Sequence, residues 1–400
     1  MARGAGTVAS LLEAVERISP LRLAAEWDNV GLLIGDPRSP VRKVVLTIDL
    51  TEAVIGDAAA TRGSETAVIA YHPPIFEPLR RVAGPDPRGA LILRAARSLA
   101  AVISPHTALD AVADGVTDWL SLGVGEGALL PIEAAESLPS GESRMVVTKA
   151  PSAAVDRIRD AMSLAGAGRI GEYSRCAFEV RGTGSFEGDA TSNPRVGSRG
   201  RLERVEESRL EMVSSAAALP GVIAALRAAH PYEEPPIEIF SLAARPSLRE
   251  GHGRGLEMTT ARTTDEIGIR LARHLRVAPA AIEVIRADRP GDHRRLRLGT
   301  RSKSARANRL EHRRVGLCPG SGGSLVPRAI DLGCTLFVTG EMKHHERLEA
   351  VARGCDVILA GHTETERGFL PHYRTRLQRV VPGPGFPAAP RDAPPASRLR

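Results

Sequence analysis

Residues 101–110 read AVISPHTALD and residues 357–366 read VILAGHTETE. In each, four apolar or small residues with strand character run into Pro or Gly, and a His follows with a carboxylate four positions on. A third stretch, AVIA at 67–70, runs directly into Tyr71-His72-Pro73-Pro74. Short apolar runs bounded by turn residues are the mark of buried strands. Between them lie segments of helical spacing: Val8, Leu11, Leu12, Val15 and Ile18 before Pro20, a helix entered at Thr51, and another over 87–99. Alternating strands and helices predict an α/β sheet. The same reading makes AEWDNVGLLIGDP (25–37) a buried turn and strand, and Val44 to Ile48 a further strand.

The texture changes near Glu142. Strands over 145–148, 178–180, 209–213 and 237–242, with helices over 153–164 and 221–229, give the order of a small ferredoxin-like α+β unit. A helix follows, with Thr264 expected as its N-cap and its end at Leu275. The α/β pattern then returns, with strands over 315–317, 336–339 and 357–360 and helices over 325–332 and 345–353. Residues 286–314 lack periodicity and read as a loop or insertion. The Pro-rich tail from Pro382 reads as disordered.

Composition bounds the function. With 400 residues, 42% hydrophobic and 25% charged, the chain suits two or three soluble domains. The pI near 9.7 invites a nucleic-acid reading. However, residues 286–314 hold eleven Arg or Lys against three Asp or Glu, an excess that by itself accounts for the formal +7. Arginine outnumbers lysine 50 to 4, a bias of composition rather than a phosphate-binding face, so a nucleic-acid partner is not expected. Cys176, Cys318, Cys334 and Cys355 form no CxxC pair, which suits a reduced, cytoplasmic setting. No signal peptide or membrane span is expected.

His72, His106, Asp110, His362 and Glu366 all follow strand ends, where open α/β sheets bind ligands. Imidazole and carboxylate donors suit zinc, manganese or iron. A His and a carboxylate four apart share one face if each pair begins a helix. A single His after a strand more often caps or faces solvent; three such strand ends together favour one divalent-metal site. His344-His345 point in different directions at a helix start, which favours a structural role. The turn at Gly320, Ser321, Gly322, Gly323 and Ser324 could cradle a phosphate through backbone N–H groups, or simply turn the chain. His230-Pro231-Tyr232-Glu233-Glu234-Pro235 reads as a rigid turn.

At these residues the chain resembles the NIF-three-like family, also described as GTP cyclohydrolase 1 type 2 homologues, and within it the subgroup of eukaryotic NIF-three-like protein 1. The likeness runs through AEWDNVGLLIGDP, YHPPIF, SPHTALDAVADGVTDWL, GAGRIGEYSRCAFEVRGTGSF, HPYEEPPIEIF, GSGGSL, TGEMKHH and GHTETERGFL. It implies an α/β fold of two related lobes (1–141 and 247–381) facing a dinuclear metal centre. It also implies an inserted PII/CutA-like ferredoxin domain (142–246), a basic insertion (291–312), a tail (382–400) and a homohexamer. The implied metal ligands are His72, Asp110, His362 and Glu366, holding one or two ions of zinc, manganese or iron. Tyr71 stands where many members carry a fifth ligand, and a phenol of pKa about 10 is a poorer donor. The implied activity is metal-dependent hydrolysis of a nucleotide or related phosphorylated compound; in such an enzyme His106 would orient a ligand or shuttle protons. The alternative is a non-catalytic metal-binding regulatory or scaffold protein that senses a small molecule through its PII-like domain.

Overall fold

A computed structural model describes residues 6–60, 63–138, 142–193, 197–287 and 310–381. Most of the basic insertion and all of the tail lie outside these residues. The chain folds as two compact units, Met1–Ala135 with Ser247–Arg400, and Glu136–Pro246.

The first unit opens with strand β1 (Gly6–Thr7) and helix α1 (Val8–Ile18). Thr7 and Ser10 cap α1 reciprocally, each side chain bonding the other's backbone N–H. Strands β2 (Gly31–Gly35), β3 (Pro40–Val41) and β4 (Lys43–Thr47) follow, then α2 (Glu52–Ala59), β5 (Thr66–Ala70), α3 (Pro87–Ser98), β6 (Ala101–Ser104), α4 (His106–Ala111), α5 (Val116–Leu122) and β7 (Gly127–Ser137). β4, β5 and β6 pair in parallel and β2 closes the β6 edge antiparallel.

The second unit holds β8 (Arg144–Ala150), α6 (Val155–Leu164), β9 (Phe178–Glu187), β10 (Leu202–Ser214), α7 (Leu219–Ala229) and β11 (Ile237–Ser241). Its sheet order is β11-β8-β10-β9, antiparallel throughout, the ferredoxin-like arrangement. Val146, Ile158, Met162, Leu210, Met212 and Leu226 form its core.

The chain then returns to the first unit through β12 (Arg245–Thr263), α8 (Thr264–Leu275), β13 (Glu283–Ile285), β14 (Glu311–Ser321), α9 (Val326–Asp331), β15 (Leu336–Glu341), α10 (His344–Ala352), β16 (Asp356–Leu359), α11 (Glu364–Arg367) and α12 (Leu370–Val380). The sheet order is β13-β16-β15-β14-β12-β7, with β14, β15 and β16 parallel and β13 antiparallel on β16. The topology of β2 and β4–β6 thus recurs in β13–β16.

The parallel strands at the centre of each sheet (β4–β6 and β14–β16) are covered on both faces, so β5, β6, β15 and β16 read as nearly continuous apolar runs. Inward residues of both (Leu46, Ile69 and Ile103; Leu317, Val338 and Ile358) share one core with α1, α5, α8 and α12. The outer faces pack separately, one around Val45, Val68 and Val102 and the other around Phe337, Val357 and Leu359. Because one core joins the two sheets, strand ends from both can meet.

The structure corrects three readings. The N-cap of α8 is Thr263, not Thr264: Thr263 makes the reciprocal cap with Glu266, while the Thr264 hydroxyl is buried against His312 and Asp356. Residues 311–314 are strand rather than loop, because their ladder to β12 pairs Glu311 with Thr263 and Arg314 with Glu257. The turn at 25–30 is not wholly buried, since Trp27 faces water.

Strand β12 is anchored by Arg254, which is only 1% exposed. Its guanidinium donates to Asp118 Oδ1 at 2.6 Å and to the carbonyls of Gly251, Gly253, Ala111 and Val112 at 2.6–3.1 Å. A buried cation stripped of its carboxylate is costly. We expect Asp118→Ala to lower unfolding stability by about 3 kcal/mol, read from the midpoint of a urea transition.

Candidate metal centre

The cavity at the strand ends encloses about 570 Å³. His72 lies two residues beyond β5 and His362 three beyond β16, while His106 opens α4 just past β6. Each histidine has a carboxylate on Nδ1: Asp49 at 2.8 Å for His72, Asp28 at 2.8 Å for His106, and Glu341 at 3.0 Å for His362. A carboxylate on Nδ1 fixes the tautomer and ring angle and leaves Nε2 as the donor atom.

His72, His362 and Glu366 offer donor atoms that all lie within 4.8 Å of one another. His72 Nε2 stands 3.2 Å from Glu366 Oε2, and His362 Nε2 stands 3.4 Å from Glu366 Oε1. A tetrahedral ion with bonds of about 2.1 Å sets neighbouring donors about 3.4 Å apart. His72 Nε2 and Glu366 Oε2 are buried yet have no hydrogen-bond partner. Unpaired buried polar atoms are rare and call for an explanation, and a cation between them supplies one. The donor set therefore fits a divalent ion.

Asp110 lines the same cavity but accepts a short hydrogen bond from the Tyr71 hydroxyl. Burial pushes the Asp110 carboxyl well above its usual range, and the Glu366 charge adds to this against the opposing Tyr71 bond. Tyr71 is also pushed well above its ordinary value, by burial first and then by the Asp110 and Glu366 charges. Its hydroxyl donates to Asp110, and the raised pKa favours the neutral phenol there. Burial pulls the His72 pKa down, but Asp49 and Glu366 outweigh it and raise it to about 10; a divalent ion at Nε2 would displace that proton and take over its charge-compensating role.

His106 adopts φ of +30°, a strained value for a non-glycine residue. Asp28 holds it there, bonding its ring along with the Thr107 amide and hydroxyl. The His106 bond lowers the Asp28 pKa against the effect of burial.

Gly320 and Gly322 donate their N–H groups to Thr365 and Thr339, each at 3.0 Å. Those two groups of the expected phosphate cradle are therefore committed within the protein. The glycine at 320 has another use: at φ +60°, an added Cβ would lie 2.6 Å from Glu366 Oε1 and 3.1 Å from His362 Nε2. His362 precedes α11 instead of starting it, so its stacking with Glu366 comes from the turn before the helix. His344 and His345 are exposed at the start of α10. In the second unit, His230 Nε2 meets the Lys149 carbonyl and Nδ1 accepts from the Tyr232 amide, so both ring nitrogens are used in the turn.

Asp28, Asp49 and Glu341 are absent from the sequence-derived site. The strand-end rule alone could have found Asp49, which follows VVLTI, and Glu341, which ends β15. Asp28 sits in the AEWDN turn with no periodic signal.

With this geometry in view, likeness to known proteins becomes informative. The family Duf34/NIF3 (NGG1p interacting factor 3) matches residues 6–386, and the chain belongs to it. A Mycobacterium tuberculosis protein named GTP cyclohydrolase 1 type 2 homolog is 33% identical over 84% of this chain and 82% of its own length. NIF3-like protein 1 of Rattus norvegicus is 31% identical over 90% of this chain and 84% of its own. Among solved structures, a Bacillus cereus protein related to NIF3 superposes with TM-score 0.68 at 28% identity, covering 94% of this chain and 93% of the other. A Staphylococcus aureus protein gives TM-score 0.71 at 21% identity, with 98% of each chain covered.

Two outcomes follow. Asp49→Ala is expected to weaken zinc binding about 10–100-fold, measured by competition with a chromophoric chelator. Gly320→Ala is expected to abolish stoichiometric zinc uptake, because its methyl group fills the space between Glu366 and His362, and to cost about 1 kcal/mol of stability through its left-handed backbone.

Proposed function

We propose that this protein is a metal-dependent hydrolase acting on a nucleotide or related phosphorylated compound. One observation carries the reading: the buried, unpaired atoms His72 Nε2 and Glu366 Oε2 face each other with His362 alongside. The names of the M. tuberculosis and other relatives support a cyclohydrolase-type reaction.

His72, His362 and Glu366 would hold the ion, with Asp110 beside them in the same cavity. When bound, a divalent cation supplies Lewis acidity, polarising a substrate oxygen and acidifying water near neutrality. His106 keeps Nε2 as a proton acceptor because Asp28 occupies Nδ1, so it is the residue that takes up and returns the proton. Tyr71 holds Asp110 in one orientation by hydrogen bonding. Glu341, Asp49 and Asp28 keep the three imidazoles from turning.

Glu366→Gln tests this. Elemental analysis of the wild type should give at least one zinc, manganese or iron per protomer, and the variant should lose it along with any hydrolysis of GTP. Metal-replete wild type that leaves both GTP and simple phosphoesters unchanged would overturn the hydrolase reading.

A further inference from the structure

The cavity beside the donor cluster carries two aromatic side chains that belong to none of the hydrophobic cores among the described residues. Trp27 is 63% exposed and Phe76 is 45% exposed. Their ring centroids are 5.8 Å apart and tilted by 53°. Both approach His106, at 6.1 and 6.5 Å, and both line the cavity that holds His72 and Glu366. Scattered exposed apolar residues need no explanation, but two adjacent ones inside a cleft do.

The backbone that carries these rings is tied down. The Ala25 amide donates to the Thr107 hydroxyl at 3.0 Å. Asp28, next to Trp27, is fully buried at its side chain and gripped by His106 and Thr107. Asn29 donates to the carbonyl of Ile75 at 2.5 Å, which ties the Trp27 turn to the residue just before Phe76. Folding has therefore already ordered both segments, while the rings remain in water. Rigid, exposed aromatic faces are what binding sites use to gain contact area at low entropic cost.

We infer that Trp27 and Phe76 seat a planar heteroaromatic ring of the substrate against the His106 side of the cavity. This rests on the hydrolase reading above and narrows it: the substrate class is a compound bearing such a ring, and the aromatic pair sets specificity. Stacking on a side-chain π-face tolerates any base because every base has a π-face. Glu133 and His252, which also line the cavity, supply polar groups for the ring edge.

The chain has two tryptophans, and Trp119 is 7% exposed and packed on His274, so quenching by a bound ring reports on Trp27. Full-length protein with zinc supplied is titrated with adenosine and guanosine 5′-monophosphate, and separately with ribose 5-phosphate, which carries the phosphoester without the ring. The nucleotides should quench emission and bind about tenfold or more tighter than ribose 5-phosphate. In Trp27→Leu combined with Phe76→Ala, followed by calorimetry, that preference should vanish with zinc content unchanged; Trp27→Phe should restore most of it. Equal affinities in the wild type, or a preference that survives the double substitution, overturn the inference. The readout is binding, so this outcome is separate from turnover: a ring-indifferent protein could still hydrolyse, and a ring-selective one could fail to.

Discussion

Two carboxyl groups, Glu366 and Asp110, share one buried cavity, and the rest of the site is arranged around that fact. Like charges out of water repel strongly, so one group must stay protonated or a cation must lie between them. The protein treats the two differently. Asp110 receives a phenol hydrogen from Tyr71, which satisfies it without a metal. Glu366 receives no hydrogen bond at Oε2 and faces two imidazole nitrogens. The asymmetry leaves Asp110 bonded to the Tyr71 hydroxyl and Glu366 facing the His72 and His362 rings.

The outer carboxylates complete this arrangement. A histidine ring at a loop tip would otherwise rotate, and a ring that rotates does not hold a donor nitrogen in place. Asp28, Asp49 and Glu341 come from three different strand ends or turns, yet each meets its histidine at Nδ1. The repeated topology of β4–β6 and β14–β16 makes this possible, since it delivers equivalent ends to one place from both sheets.

Much of this was legible in the sequence, for identifiable reasons. Buried parallel strands must be apolar on both faces, so AVIA, AVIS and VILA stand out, and the histidines after them follow at once. The long strands β7 and β12 were not legible. Their ladders carry mixed polar residues, and β12 contains Gly251, Gly253 and Gly255, which dilute any period-two signal. The Tyr71 role was half legible: its position beside His72 was visible, but its hydrogen bond to Asp110 depends on two strand ends meeting in space. The exposure of Trp27 was hidden because a tryptophan just ahead of an apolar strand ordinarily reads as core, and the polar Glu26, Asp28 and Asn29 around it mark only a turn. The glycine run at 320–324 was visible, but the use of Gly320, clearing space for Glu366 and His362, depends on two residues far along the chain.

His72 and Glu366 stand nearly three hundred positions apart in the chain, joined only through a core that both sheets build together. No fragment containing one half carries the full donor set. The cavity is therefore complete only when strand ends from both halves of the chain and α11 are in place. An ion that prefers the finished cavity adds its binding free energy to the folded state alone. Under the metal reading proposed above, a clipped or misassembled chain would lack part of the donor set and so would fail to capture the ion.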